Sequence, residues 1–318
     1  MSDAAMLESS TARARCATWS RTAGLDPIGT VGSYEGYLLA DVALPWPSDL
    51  AGLEEVGAVQ AALSGTGIRF QATVPVGERR VVLYRRPPAG PRQPSPAPDL
   101  VRTETTVDAP SGDGAEDRHH LAVAVERLMA APVPADAVGE REVAVCTHGR
   151  RDVCCGARGS RLHQELVAVP GLLGAEVRIR RTSHTGGHRF APTAIILPEA
   201  TGWAYLDVDL LRAVVTRTGP VTAVLGHYRG WAGLGSPRLQ ALESAVLAEV
   251  GWDLFGRPRW GEEHDSVARL HVDGDTQTIW EATVTPGRRV PRPECGEAVS
   301  AAGKADTELV VNDLRRVT

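Results

Sequence analysis

Lysine is nearly absent from the chain. Lys304 is the only one, so arginine carries almost all the positive charge. Long apolar runs are absent too. No stretch reaches the roughly 18 consecutive apolar residues that a membrane-spanning helix needs. The N-terminal stretch from Met1 to Arg15 has no apolar core, which argues against a secretory leader. Cysteine is scarce and odd in number, five in all, and three of them fall between positions 146 and 155. That distribution excludes a disulfide framework and points to a reducing cytoplasm. The net charge of -5 gives no reason to expect nucleic acid as a partner. No pair of carboxylates stands out for glycoside hydrolysis.

What is present is ordinary globular sequence, long enough at 318 residues for more than one unit. Tyr37 to Val42 reads as a strand and Leu50 to Leu63 as a helix. Arg69 to Val74 and Arg80 to Tyr84 follow as strands, completing a β-α-β-β unit. Proline then clusters at Pro87, Pro88, Pro91, Pro94, Pro96 and Pro98, and Ser111-Gly112-Asp113-Gly114 is a turn cluster. This predicts a linker or surface excursion over 87–117, inside an N-terminal α/β region spanning 1–135. A helix is expected over His119 to Ala130.

A second unit, 136–262, repeats the pattern more clearly. Glu142 to Val145 is a short strand, Ala157 to Val169 a helix, and Ala175 to Arg181 a strand. Thr193 to Leu197 and Trp203 to Leu206 form a hairpin, and Leu210 to Thr216 starts a helix. The order matches a thioredoxin-like sheet. The two β-α-β-β segments can also be read as distant structural echoes of each other. Ser236 caps a helix to Val250 with Pro237 at its first position. Over 263–318 a β-rich extension is expected, with a hairpin around Asp273-Gly274-Asp275. The fold class is therefore α/β with mixed α+β sheets.

The chemistry concentrates in two loops at strand ends. The first is Val145-Cys146-Thr147-His148-Gly149-Arg150-Arg151-Asp152-Val153-Cys154-Cys155-Gly156. The second is His184-Thr185-Gly186-Gly187-His188. Two thiolates and two imidazoles form the donor inventory of a metal or iron–sulfur site. A histidine pair in a glycine loop alone reads as solvent-exposed. Beside a cysteine loop at matching strand ends it reads as ligands. Gly186 and Gly187 let the backbone approach a bound group and offer amide N–H groups. Arg151 and Asp152 read as a loop-ordering ion pair or a hydrogen-bonding brace, or as support around the site. Cys-Thr-His resembles half of a Rieske motif, but the later Cys-x-x-His is missing. Cys16 and Cys295 have no local partners and read as isolated structural thiols. His227 to Trp231 reads equally as a docking loop or as core.

The two loops together, with His-Arg-Phe-Ala-Pro-Thr continuing from 188 to 193, resemble the sucrase/ferredoxin-like family. The resemblance extends to the stretch from Cys16 to Thr30 and to Tyr228-Arg229-Gly230. It implies a thioredoxin-like ferredoxin domain holding a [2Fe–2S] cluster on Cys146, Cys155, His184 and His188. Cys155 is the family's choice because its second cysteine directly precedes glycine, and Cys154 is the alternative. The implied function is one-electron transfer, with histidine ligation opening it to proton coupling, and no catalytic residue is assigned. The implied partner is a ferredoxin reductase or another electron carrier. Two rivals remain at this level: a structural Cys2His2 zinc protein, and a thiol–disulfide oxidoreductase using Cys146 with Cys154 or Cys155.

Overall fold

A computed structural model describes residues 15–87, 99–107, 114–133 and 140–317. Its centre is a nine-stranded mixed sheet. The first half contains β1 (Gly36–Asp41), α2 (Glu54–Ala62), β2 (Ile68–Thr73), β3 (Arg80–Arg85) and β4 (Val101–Thr106), preceded by α1 (Cys16–Thr22). After α3 (Gly114–Ala130), the second half contains β5 (Arg141–Cys146), α4 (Ser160–Val167), β6 (Val177–Thr182), β7 (Ala194–Leu197) and β8 (Thr201–Trp203). Then come α5 (Val208–Thr216), β9 (Tyr228–Trp231) and α6 (Pro237–Val250). The strand order in the sheet is β4-β3-β1-β2-β6-β5-β7-β8-β9.

The two halves share one wiring. β1 and β2 are parallel, as a helical crossover requires, and β3 and β4 add on antiparallel beside β1. β5 and β6 are likewise parallel, and β7 and β8 add on antiparallel beside β5. The halves meet antiparallel through β2 and β6, where Thr73 faces Thr182. The corresponding strands are thus related by a pseudo-twofold at the centre of the sheet. The echo between the two segments is real in topology, and only the second half carries the cysteine and histidine loops. Their roots, the carboxyl ends of β5 and β6, lie side by side, with Cys146 opposite Thr182. Ligand loops at the carboxyl ends of parallel strands are common in α/β sheets.

A second sheet is an antiparallel meander of β10 (Arg259–His264), β11 (Val267–Val272), β12 (Thr278–Pro291) and β13 (Ala305–Arg316). It is larger than the expected hairpin because β12 runs on to Pro291 and pairs with β13 almost to its end. α6 packs between β9 of the large sheet and β11 to β13 of the small one. Ser236 caps α6 as expected, its Oγ accepting from Leu239 N at 3.2 Å.

Two local expectations are corrected. The helix over Leu50 to Leu63 is interrupted. A 3-10 turn covers Leu50–Gly52, Leu53 is extended, and α2 starts at Glu54. The excursion over 87–117 contains β4, in which Val101, Thr103, Thr105 and Thr106 supply the β-branched side chains that favour pairing with β3. Of that excursion, residues 88–98 and 108–113 lie outside the described residues.

Glu142 on β5 is fully buried, and Arg102 approaches it at 3.6 Å. Burial raises its carboxyl pKa, and Arg180 and Arg102 offset this only in part. A carboxyl pKa raised by folding means that the folded state holds more protons than the unfolded state above about pH 4. Stability contributed at acid pH is therefore lost as pH rises through the window up to the raised value. Glu142→Gln has no such proton to lose. Urea unfolding should show the variant gaining on the wild type from pH 4 toward neutrality, and a pH-independent difference would refute this assignment.

Candidate metal centre

Cys146 is the last residue of β5, and its amide donates to Thr193 O at 3.0 Å. Thr147 N donates to Thr182 O at 2.9 Å, tying the start of the cysteine loop to β6. Asp152 then starts a helical turn. Its Oδ1 accepts from Cys154 N at 2.8 Å and Cys155 N at 3.2 Å, satisfying amides that a helix start leaves free. The turn continues as a π-helical segment over Cys155–Gly159 and then as α4. Glycine is needed there for close approach. A Cβ on Gly159 would lie 1.8 Å from the Cys146 carbonyl oxygen, and one on Gly156 would lie 2.4 Å from Gly149 Cα. Single-turn π segments are often found at functional sites.

The consequence for the vicinal cysteines is geometric. Adjacent residues on a helical turn point about 100° apart. Cys155 faces Cys146 and His184, and the donor atoms of these three lie within 4.8 Å of one another. Cys154 faces Cys16 and Cys295 instead, at 3.6 Å and 3.2 Å between sulfurs. Cys146 and Cys155 are fully buried, while His184 is partly exposed. The Cys146 thiol is held well below its ordinary pKa by hydrogen bonds from Cys155 and His184 and from the Thr185 amide, against burial. Cys155 is pushed up by the same contact and by its own burial.

The histidine loop is held from behind. Arg69 Nη2 donates to His184 O at 2.9 Å, and Arg229 Nη1 donates to Gly186 O at 3.2 Å. Gly186 and Gly187 have φ values of +81° and +68°, a region glycine tolerates and other residues rarely occupy. A Cβ on Gly187 would also meet Arg229 Nη2 at 2.7 Å. His184 Nδ1 is buried without a hydrogen-bond partner. The His188 ring lies 6.0 Å from that of His184, but it is turned toward Asp152. Its Nδ1 sits 2.7 Å from Asp152 Oδ2, and Nε2 is 3.9 Å from Glu294. The Asp152 contact raises the His188 pKa. On Asp152 itself, burial works in the opposite sense but is outweighed, and its carboxyl sits below the usual range. The structure thus brings Cys146, Cys155 and His184 together, with His188 at one side. Asp152 partners His188 rather than Arg151, and Arg151 lines an open cleft of about 410 Å³ with Arg69, His148, Ser183 and His184.

Sequence reasoning left two elements of this region undecided. His148 is buried, its Nε2 lies 2.7 Å from Pro47 O, and it stacks edge-on with Trp46. Arg229, on a strand read as either docking loop or core, is core. It is 1 % exposed and donates to Thr30 O at 2.7 Å and Thr30 Oγ1 at 3.0 Å. No carboxylate pairs with it among the described residues. Burial lowers its pKa to about 10, and Cys146 is among the groups that act the other way. A buried cation without an anionic side-chain partner, set against the ligand loop, suits a site that carries negative charge.

A family model described as sucrase/ferredoxin-like matches residues 27–230, more than half of the chain, and the protein belongs to that family. No curated protein and no solved structure matches it. The family and the grouped cysteine and histidine donors are compatible with a metal or redox role. Among the described residues no helix is long and apolar enough to cross a membrane.

Proposed function

We propose that the protein is a one-electron carrier whose [2Fe–2S] cluster is held by Cys146, Cys155, His184 and His188. The observation that carries this reading is the convergence of Cys146, Cys155 and His184 on one buried spot at the carboxyl ends of β5 and β6. The donor set fits the group: soft thiolates, an imidazole nitrogen with no hydrogen-bond partner, and a nearby buried guanidinium. His188 would be the fourth donor, its ring 6.0 Å from that of His184 with Nδ1 turned to Asp152 and Nε2 3.9 Å from Glu294. Its Nδ1 hydrogen bond to Asp152 is the support that metal-bound histidines commonly receive from a carboxylate.

When bound, the cluster supplies a reversible one-electron couple. The chain's own residues set its conditions. Cys146 and Cys155 are shielded from water, and the Thr185 amide donates to Cys146 sulfur. Arg229 favours whichever state is more negative, which raises the potential. His184 reaches the cleft lined by Arg69 and Arg151, and there the edge of the site meets solvent. A ferredoxin reductase or another electron carrier docks on that side, and an imidazole with a free nitrogen can couple the electron to a proton.

The test is anaerobic isolation of the full chain with iron and acid-labile sulfide analysis. About two of each per chain are expected, with a brown-red visible spectrum. Protein whose Cys146 and Cys155 hold zinc without sulfide, or cycle as a metal-free thiol pair, would overturn the reading.

A further inference from the structure

Three cysteines meet at a second place, where α1 and the connection between β12 and β13 close over the cysteine loop. Cys16 comes from α1, Cys154 from the turn after Asp152, and Cys295 from the connection between β12 and β13. Their sulfurs form a triangle with edges of 3.6 Å (Cys16–Cys154), 3.2 Å (Cys154–Cys295) and 3.3 Å (Cys16–Cys295). An Asp152 oxygen completes the group, with all four donor atoms within 4.8 Å of one another. Cys16 and Cys154 are buried and Cys295 is half-buried. We propose that Cys16, Cys154, Cys295 and Asp152 bind a thiophilic divalent cation, Zn²⁺ by the nature of the donors, as a metal centre separate from Cys146, Cys155 and His184.

The geometry favours a metal over other fates for these thiols. A disulfide needs two sulfurs at about 2.05 Å and leaves the third without a role. Tetrahedral zinc with Zn–S bonds of about 2.3 Å spaces its sulfurs about 3.8 Å apart, close to the edges of this triangle. Two buried thiols and a half-buried third, set side by side beside a carboxylate, gain nothing from packing that small apolar residues would not supply better. Asp152 is also held for the task. Cys154 N and Cys155 N donate to Oδ1, and His188 Nδ1 sits 2.7 Å from Oδ2, the carboxylate–histidine arrangement that orients metal ligands.

Cys16 and Cys295 lie outside the residues the family model matches, 27–230, while Asp152 and Cys154 lie within them. Cys16 and Cys295 are 279 positions apart, and a metal joining them would fix both terminal segments onto the cysteine loop. The backbone there is already docked, with Trp19 Nε1 donating to Pro291 O at 2.9 Å. Asp152 would then touch both centres, one directly and one through His188.

The experiment is metal analysis of the full chain grown with zinc, in the wild type and in Cys16→Ser, Cys295→Ser and Cys155→Ser. One equivalent of zinc per chain is expected in the wild type and in Cys155→Ser, and a loss of at least tenfold in Cys16→Ser and Cys295→Ser. The proposal fails if the wild type holds no zinc, if Cys155→Ser loses it equally, or if Cys295→Ser keeps it. Thiol titration of folded wild type gives a reading that does not depend on any variant folding. A strong chelator should expose three further thiols of the five, and re-added zinc should protect them again. No change in reactive thiols on chelation would overturn the proposal. Iron and sulfide are measured on the same samples, so a failure of this centre is distinct from a failure of the cluster reading.

Discussion

Cys155→Ser is expected to remove essentially all visible absorption and most of the iron from anaerobically isolated protein, while Cys154→Ser leaves the spectrum largely intact. The two sulfurs are neighbours in sequence but not in direction. Cys155 lies with Cys146 and His184, whereas Cys154 lies with Cys16 and Cys295. Serine at 155 replaces a soft sulfur donor with a hard hydroxyl in a fully buried position beside Cys146 and His184. Serine at 154 leaves Cys146, Cys155 and His184 where they are. Iron, sulfide and visible spectra on both variants decide the matter. An intact spectrum in Cys155→Ser with a bleached one in Cys154→Ser would move the ligand to Cys154 and break the proposed assignment.

The sequence disclosed this site unevenly, for physical reasons. Cys146 could be placed at a strand end because Glu142 to Val145 is short, apolar and followed at once by a polar glycine loop. The histidine loop follows β6 for the same reason, and the side-by-side placement of the two loops follows from the parallel β-α-β connection. Short-range capping was equally legible, as at Ser236. Long-range convergence was not. Cys16 and Cys295 read as isolated thiols because no periodicity or spacing links positions at opposite ends of a chain. Their meeting depends on β12 running to Pro291 and on α1 docking against it. Arg229 stood out in sequence only within the Tyr228-Arg229-Gly230 resemblance, with no role attached, and its burial and carbonyl acceptors supply the role. Adjacency does not make Arg151-Asp152 an ion pair. Side chains of successive residues diverge, and Asp152 turns inward to the helix start and His188.

The other large effect expected is on stability, from the buried pair that joins the two sheets. Glu243 on α6 is fully buried, as is Arg259 at the start of β10. Arg259 Nε and Nη2 lie 2.7 and 2.6 Å from Glu243 Oε1, and Tyr228 on β9 donates its hydroxyl to Oε2 at 2.8 Å. The guanidinium also covers the Trp231 ring at 4.0 Å. Removing one partner leaves the other charge buried and unpaired, which costs about 3–5 kcal/mol. Glu243→Ala should therefore lose about that much in urea unfolding. Combining Glu243→Leu with Arg259→Met should recover much of it, because no buried charge remains. The residual would belong to the Tyr228 hydroxyl, left without its acceptor at about 1–3 kcal/mol. A loss under about 1 kcal/mol in Glu243→Ala would mean that water or another group reaches Arg259, against the burial described. The site is tied to this pin through β9. Successive residues of a strand point to opposite faces, so Tyr228 reaches Glu243 while Arg229 reaches Gly186 of the histidine loop. Loosening α6 from β9 should therefore speed cluster loss on warming in Glu243→Ala. The double variant should slow it again in step with its recovered stability, and bleaching that ignores the recovery would separate the pin from the site.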